Sequence, residues 1–324
     1  MQTSQAIAEI LPATGQPPEL AEGEGVAAVI VVFNPDRAQL LENLAAVACQ
    51  AEKLIVVDNG CSDLLHQEIC RRYPTLVWRK ADGNLGVAAA QNLGIEEARR
   101  RGARQVLFLD QDSTVQIGMM AELQRLWSDL QGNGARLGAI GPCYIDPTCG
   151  LSAKLERRQV AERRGAMAVK VDGCVEVDFL IASGSLVSLD ALAEVGDMDP
   201  GLFIDHVDTD WCHRARALGF RLFGATQARM HHSMGERRKR IWLLRWRNVA
   251  LHRPFRYYYI FRNSVLLYRR PSTPRGWVLQ DTIRLAGLFV VCGLCNRPRL
   301  ETFTAMLHGL ADGLRGRSGP LSTR

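Results

Sequence analysis

Positive charge is absent from the start of the chain: no Lys or Arg precedes Arg37, and residues 1–24 contain no long apolar run. A secretory signal needs a basic start followed by an apolar segment, so none is predicted. Residues 1–24 instead carry Gly, Pro and Glu with little periodicity, which predicts a flexible tail. The basic residues collect at 236–240 and 245–262. This asymmetry favours an anionic partner for the second half, such as a nucleotide or an acidic membrane surface.

The chain also lacks a disulfide framework and a dinucleotide fingerprint. Its nine cysteines are odd in number and scattered, which predicts reduced thiols and a cytoplasmic protein. Cys292 and Cys295 form a lone CxxC with no second pair, so buried thiols are favoured over a metal or redox site. No GxGxxG occurs, which argues against a dinucleotide-binding turn.

No apolar run is long enough to span a bilayer. The most apolar stretch lies between Arg275 and Arg297, but Gln280, Asp281 and Arg284 interrupt it. Two interpretations remain open for this stretch, a buried helix and an amphipathic helix at a membrane interface.

Strands and helices alternate through the first third of the chain. Buried strands are predicted at 26–33, 53–57, 76–78 and 106–109, and helices at 37–50, 64–73 and 87–101. This alternation predicts an α/β fold with a doubly wound, mostly parallel sheet. The later pattern is less regular, with strands at 137–145, 173–179 and 220–223 and helices at 191–195 and 211–218. Hydrophobic residues make up 47% of the 324 residues, enough for a sizeable core.

Two carboxylates follow the strand at 106–109, in the sequence Asp110-Gln111-Asp112. Open α/β sheets bind ligands beyond the carboxyl ends of their strands. A pair of carboxylates there suits a hard divalent cation that also holds phosphate oxygens. The alternative is an ordinary polar turn, because short motifs have many false positives.

Two earlier turns carry groups suited to a nucleotide. Asp58 follows a strand and can accept from a base imide or a ribose hydroxyl. Asn84, Gly86 and Gln91 lie at a glycine-containing turn into a helix, where backbone donors favour phosphate. Turn formation alone also explains Asp-Asn-Gly and Gly-Asn sequences.

A second acidic cluster spans residues 203–211. Asp208 lies between Phe203 and Trp211, and a carboxylate in such a half-apolar place can have a raised pKa and act as a general base. The alternative is a helix start enriched in Asp by the helix dipole, and Asp210 fits that alternative better than Asp208. His231 and His232 follow a strand and are candidates for a metal centre.

The order of these segments resembles the family 2 inverting glycosyltransferases of the A-type fold, and in particular the bacterial rhamnosyltransferases that use dTDP-L-rhamnose. The resemblance covers residues 26–270 and is carried by VDNGCSD, DGNLGVAAAQNLG, FLDQDS, IASGSLVS, GDMDPGLFIDHVDTDW, MHHSMGE and RPFRYYYIFRNSVLLYRR.

The resemblance implies a role for each matching residue. Asp58 would read the base or ribose, and Asn84 and Gln91 would line the nucleotide cleft. The other implied roles are metal and diphosphate binding by Asp110, Asp112 and His232 with Mg²⁺ or Mn²⁺, proton removal by Asp208, and contact with the acceptor by Ser183, Gly184 and Trp211. One departure concerns Gln91, because many family members have Arg there.

The resemblance also implies an organisation and a setting. Residues 25–240 would form the catalytic domain and residues 241–324 a basic, aromatic helical extension. The acceptor would be a glycan or a lipid-linked molecule in cell-surface polysaccharide synthesis, met on the inner face of the cell membrane. No nucleic-acid-binding module is recognised.

Two other functions compete. A nucleotidyltransferase can share the sheet and the paired carboxylates, but Asp208 and His232 argue against it. A catalytically silent nucleotide-sugar binder or membrane scaffold would not need Asp110, Asp112 and Asp208.

Overall fold

The computed structural model describes residues 25–145, 171–232, 237–243, 245–295 and 298–321. For residues 144–145, 232, 237–243, 245–250 and 292–295 the description is of the backbone alone.

The first third of the chain forms four parallel strands with three helices between them. In chain order these are β1 (Val26–Val32), α1 (Arg37–Ala48), β2 (Lys53–Asp58), α2 (Asp63–Arg72), β3 (Val77–Lys80), α3 (Gly86–Arg100) and β4 (Gln105–Asp110). The strands lie in the order β3-β2-β1-β4, all parallel. The predicted α/β class and its parallel sheet are therefore confirmed.

Strand β1 is apolar throughout because both of its faces are covered. Ala28 and Ile30 belong to the core on the α1 side, whereas Ala27 and Val29 belong to the core on the α3 side. Gly94 lets α3 approach closely, since a Cβ at this position would lie 2.2 Å from Val29 Cγ1. A continuous apolar strand is the usual pattern where helices cover both faces of a parallel sheet.

The second third extends the same sheet with strands of mixed direction. Its elements are β5 (Ser113–Val115), α4 (Met119–Gly132), β6 (Leu137–Ile145), β7 (Cys174–Glu176), β8 (Leu186–Ser188), α5 (Leu189–Val195), a 3-10 turn (Pro200–Leu202), α6 (Val207–Ala217) and β9 (Arg221–His232). The sheet continues β4-β8-β6-β9-β5, and β7 also pairs with β9. Strand β8 is antiparallel to both β4 and β6. The sequence did not predict α4, β5 or β8.

The last third begins with a hairpin and ends in helices. Strands β10 (Arg237–Leu243) and β11 (Arg245–Leu251) form a separate antiparallel pair, so the boundary expected at 240/241 falls within β10. Helices α7 (Pro254–Tyr268), α8 (Arg275–Cys295) and α9 (Arg299–Leu314) follow.

The three helices share a small core of their own, in which Tyr257, Ile260 and Phe261 pack against Leu285 and Met306. Among the helices within the described ranges, none has the length and apolarity needed to cross a bilayer. The stretch from Arg275 is helical, but the side chains of its CxxC lie outside the described residues.

Candidate active site

The carboxyl ends of β1, β2 and β4 meet at one edge of the sheet. In the parallel registers, Asp110 pairs with Val31 and Asp58 pairs with Val32. The structure therefore brings Asp58 and Asp110 to either side of the end of β1, as their positions after strands indicated. This edge is where ligands bind in open α/β sheets.

Two amide side chains of α1 hold the backbone of the acidic turn. Asn43 Nδ2 donates to the Asp110 carbonyl at 2.9 Å, and Gln39 Nε2 donates to the Asp112 carbonyl at 3.2 Å. Residues four apart lie on the same face of a helix, so one face of α1 fixes both acidic residues. Sequence reasoning missed these two residues, and the available signal was a pair of amides inside an apolar helical pattern.

Gln111, between the two carboxylates, points back to β1. Its Oε1 accepts from the Phe33 N–H at 2.8 Å, and its Nε2 donates to the Phe33 carbonyl at 3.2 Å. Because the oxygen and the nitrogen of its side-chain amide both bond to the backbone just beyond β1, Gln111 extends the pairing between β1 and the acidic turn by one residue. Its role is therefore to orient the turn.

Ser183 and Gly184, expected to face the acceptor, lie instead beneath the acidic turn. Ser183 is buried, and its Oγ accepts from the Asp110 N–H at 3.0 Å and lies 2.7 Å from Ser113 Oγ. Gly184 has a φ of 84°, and a Cβ there would meet Pro142 Cγ at 2.7 Å and Met230 Sδ at 2.8 Å. Both residues are consequently supports for Asp110 rather than an acceptor surface.

Asp208 joins the same loop through the neighbouring residue. The Ala182 N–H favours the charged form of the nearby Asp208 carboxylate and so acts to lower its pKa, and the Thr209 N–H donates to Asp208 Oδ1 at 2.7 Å. Burial raises the pKa of Asp208 despite these bonds. Ala182 and Ser183 are adjacent, so the structure brings Asp208 and Asp110, which are 98 positions apart in sequence, to one site.

The chain leading to Asp208 is strained. Phe203, Asp205 and His206 have φ values of 63°, 62° and 63°. Each such residue costs about 1–3 kcal/mol, less for Asp and His than for an aromatic residue, and such residues cluster at functional sites. Burial also lowers the pKa of His206 to about 4, so its ring is neutral at pH 7.

The turn into α3 contacts this strained segment. Asn84 Oδ1 accepts from the Gly86 N–H and from Asn59 Nδ2, both at 3.0 Å. Gly86 has a φ of 81°, and a Cβ there would lie 2.6 Å from the Phe203 carbonyl oxygen. The glycine turn therefore lies directly against the segment that precedes Asp208.

Two buried amide oxygens near this edge have no hydrogen-bond partner among the described residues. They are Gln91 Oε1 on α3 and Asn43 Oδ1 on α1. Buried polar atoms are normally paired, and unpaired ones indicate a bound water, an ion or a ligand. Gln91 was expected to line the nucleotide cleft, and its buried, unpaired oxygen is consistent with that expectation.

The sequence is similar to those of known proteins. Residues 27–141 match the family model described as Glycosyl transferase family 2. The chain is 28% identical over 306 residues to the dTDP-rhamnosyl transferase RfbF of Shigella flexneri, covering 90% of this chain and 96% of that protein. Residues 27–141 are therefore similar to a family 2 glycosyltransferase domain.

The similarity to solved structures extends beyond residues 27–141. S. aureus TarS 1-349 in complex with UDP-GlcNAc superposes with a TM-score of 0.57 at 14% identity, covering 90% of this chain and 81% of that one. GalNAc-T7 with UDP, GalNAc and Mn²⁺ superposes with a TM-score of 0.52 at 14% identity, covering 66% of this chain and 45% of that one. The A-type fold expected from the sequence is thereby confirmed.

The Asp58 carboxylate stabilises the turn that follows β2. Its Oδ1 accepts from the Gly60 N–H at 3.0 Å and the Cys61 N–H at 2.7 Å, and its Oδ2 accepts from Trp78 Nε1 at 3.3 Å. A carboxylate has about four acceptor positions, and three are used here. The base-reading role of Asp58 stays a prediction that relies on the remaining position.

Trp211 cannot face an acceptor in this structure. It is only 2% exposed, and its Nε1 donates to the Gly196 carbonyl at 3.1 Å. The prediction for Trp211 is wrong because α6 turns this side chain into the core on the α3 side of the sheet. An aromatic residue next to a catalytic motif is here a core residue.

The backbone brings the three residues expected to hold a divalent ion close to one another. Strand β9 pairs His232 with Ser113, directly after Asp112. Within the described side chains no three His, Cys, Asp or Glu groups form a ready metal cluster, and the His232 side chain is outside that set. Mg²⁺ is commonly held by one or two carboxylates together with substrate phosphates, so Asp110 and Asp112 fit such an ion.

Asp210 differs sharply from Asp208. It is fully buried and forms ion pairs with Arg214, at 2.8 Å, and with Arg270, which lies just after the end of α7. Arg270 also pairs with Asp199. Asp210 therefore ties α6 to the segment that follows α7 and is neutralised by two guanidinium groups.

We expect Asp210→Asn to destabilise the protein by about 3 kcal/mol, the lower end of the range for breaking a buried pair, because both arginines keep some contact with solvent. Chemical denaturation measures this loss, and the folded fraction should still turn over. Wild-type stability combined with lost turnover would instead identify Asp210 as the catalytic carboxylate.

Proposed function

We propose that the protein is an inverting, metal-dependent glycosyltransferase that transfers L-rhamnose from dTDP-L-rhamnose to a hydroxyl group. The observation that supports this most directly is the loop at Ala182 and Ser183, which joins the turn of Asp110 to the carboxylate of Asp208. A diphosphate-binding turn and a general base at one site are what direct sugar transfer needs. The name of the Shigella flexneri relative supports the donor.

Asp208 accepts the proton of the acceptor hydroxyl in this mechanism. The acceptor oxygen then forms a bond to the anomeric carbon, while the bond from that carbon to the diphosphate oxygen breaks and the diphosphate leaves with the electron pair. Attack from the side opposite the leaving group inverts the configuration. The raised pKa of Asp208 makes its carboxylate a stronger base than an exposed Asp.

Asp110 and Asp112, with His232, would hold Mg²⁺ or Mn²⁺. When bound, the ion supplies positive charge to the leaving diphosphate. The α1 amides and Ser183 keep the acidic turn in place, and Asn84 and Gln91 would line the nucleotide cleft.

A nucleotidyltransferase is a weaker proposal. It would not need a carboxylate of raised pKa bonded to the same loop as the acidic turn, and the unpaired oxygen of Gln91 does not distinguish the two reactions. A silent binder would not need Asp208 at all.

We expect Asp208→Asn to lower turnover by about 10²–10⁴-fold, because the amide keeps the size of the side chain but cannot take the proton. Donor binding should remain. In the wild type the rate should fall as the pH drops through the raised pKa of Asp208, above the usual value of 3.8, because only the carboxylate form is active.

Steady-state kinetics across pH measure both effects, with Asp190→Asn, at an exposed position in the first turn of α5, as the acidic control. An Asp208→Asn enzyme that turns over normally would remove Asp208 from the mechanism.

We expect dTDP with Mg²⁺ to raise the melting temperature at least as much as UDP, and GDP to raise it little. A ligand that binds only the folded state stabilises it by RT ln(1 + [L]/Kd), so the ranking reports affinity. Chelator or Asp112→Ala should abolish the dTDP shift while leaving the ligand-free melting temperature nearly unchanged. Equal dTDP stabilisation in excess chelator would contradict the metal role.

We also propose that the acceptor is lipid-linked and that α8 and α9 rest on an acidic membrane. Leu279 and Ile283 on α8 are 64% and 65% exposed, and Leu300, Leu307 and Leu314 on α9 recur every seven residues on an exposed line. Helices apolar on the solvent side as well as the core side are unusual in a protein surrounded by water. Exposed Arg275 and Arg299 at the starts of these helices fit acidic lipid headgroups.

We expect replacement of Leu300, Leu307 and Leu314 by Gln to weaken cosedimentation with acidic vesicles by about tenfold or more, since each Leu contributes apolar area to the interface. Leu64→Gln is the matched control, because Leu64 is 80% exposed on the distant helix α2. Binding should also weaken with salt. Equal pelleting of the triple variant and the control would show that the leucines do not contact lipid.

A further inference from the structure

One face of α7 is devoted to the strained segment before Asp208. Phe203, with φ 63° and ψ −64°, is the centre of a γ-turn closed by a 2.7 Å bond from the Ile204 N–H to the Leu202 carbonyl. This form of γ-turn is rare and strained. Such a conformation persists only where its surroundings enforce it.

Asn263 makes the densest set of bonds to this segment. Its Nδ2 lies 2.9 Å from the Leu202 carbonyl oxygen, 2.8 Å from that of Ile204 and 2.9 Å from that of Asp205. Asn263 is fully buried. The two N–H groups of one amide therefore serve three carbonyls within residues 202–205.

The residues around Asn263 act on the same segment. Arg262, also buried, donates to the Gly201 carbonyl at 3.0 Å and to the Leu202 carbonyl at 3.1 Å. The Tyr259 ring stacks on Phe203 with centroids 5.0 Å apart, and Arg256 Nε donates to Asp205 Oδ2 at 3.3 Å.

Residues 256, 259 and 263 are spaced by three and four, so they share one face of α7. In the bonds described above, none of these three side chains contacts Asp208 or the acidic turn. Their effect on Asp208 is indirect, because α6 begins at Val207, directly after the held segment. Asp208 lies in the first turn of α6, so the path of residues 202–206 sets where its carboxylate lies.

We propose that α7 is a positioning element for catalysis and that Asn263 is its central residue. Asn263 holds the strained turn in the conformation that places the Asp208 carboxylate against Ala182 and beside the metal-binding turn. This inference depends on the proposed function, in which Asp208 removes the acceptor proton. The C-terminal helices accordingly take part in sugar transfer, in addition to any contact with a membrane.

A double-mutant cycle tests the inference, with full-length enzyme, dTDP-L-rhamnose, Mg²⁺ and donor turnover measured as released dTDP. Asn263→Ala should lower kcat by about 10–100-fold, the scale of a displacement of about 1 Å at a reacting group. The KM for the donor and the stabilisation by dTDP should stay within about threefold of wild type. In an Asp208→Asn background, adding Asn263→Ala should lower kcat by a further factor of less than about three, because the group that Asn263 positions is already inactive.

Leu126→Ala is the stability control, since Leu126 is a buried α4 residue on the opposite face of the sheet. It should destabilise the protein without a selective loss of kcat. If Asn263→Ala does not fold, Arg256→Gln takes its place in the cycle, because it retains a long polar side chain but loses the ion pair with Asp205.

Three results would overturn the inference while Asp208→Asn remains inactive. They are a kcat for Asn263→Ala equal to that of Leu126→Ala, a parallel loss of donor binding, and losses that multiply in the double variant. A fully active Asp208→Asn enzyme would instead contradict the proposed function itself, whatever Asn263→Ala does.

Discussion

The site depends on two adjacent residues that act on the two acidic positions. Ser183 Oγ accepts from the Asp110 N–H, and the neighbouring Ala182 N–H faces the Asp208 carboxylate and favours its charged form. Consecutive Cα atoms across a trans peptide are about 3.8 Å apart, so a single peptide unit links the position of the proposed base to that of the turn proposed to bind a metal ion. Gly184 makes this possible, because a side chain there would collide with Pro142 and Met230. The spacing of the two acidic groups is therefore set locally, although strands and helices of three regions of the chain deliver them.

Each end of that link has its own support. Amides of α1 hold the carbonyls of the acidic turn from one side, and Asn263 of α7 holds the carbonyls before Asp208 from the other. Both supports bond to main-chain carbonyls and do not use the acidic side chains, which are therefore left for the ligand that they would bind. The helices that begin at Pro254 therefore support the site together with the sheet. The same helical layer carries the exposed leucines of α8 and α9. If the acceptor is lipid-linked, as proposed, this arrangement attaches the helices that would rest on the membrane to the segment that positions the proposed base.

Sequence patterns predicted the elements that carry a strong period or a local motif. The strands before Asp58 and Asp110 and the helices between them were predicted, because each has buried faces at regular spacing. Strands β5 and β8 have three residues each, too few to show a period, and so these two antiparallel strands were missed. Trp211 was predicted to face the acceptor, because the order of motifs along the chain does not show which way a residue points from its helix. Asn263 was missed since its partners are main-chain carbonyls about 60 positions away, and such partners leave no pattern in the sequence.

Helix phase also explains why the two carboxylates of the Asp208-Thr-Asp210 sequence have different functions. Successive residues of an α-helix are about 100° apart, so Asp208 and Asp210 point about 200° apart around α6. Asp210 meets Arg214 and Arg270 and is neutralised, whereas Asp208 meets the amide of Ala182 and has its pKa raised by burial. The phase is fixed by the left-handed residues that end at His206, because they determine the residue at which α6 begins. Starting α6 one residue earlier or later would rotate both carboxylates by about 100° and remove Asp208 from the loop. The backbone strain before α6 is in this sense what separates the carboxylate proposed as the base from the structural one.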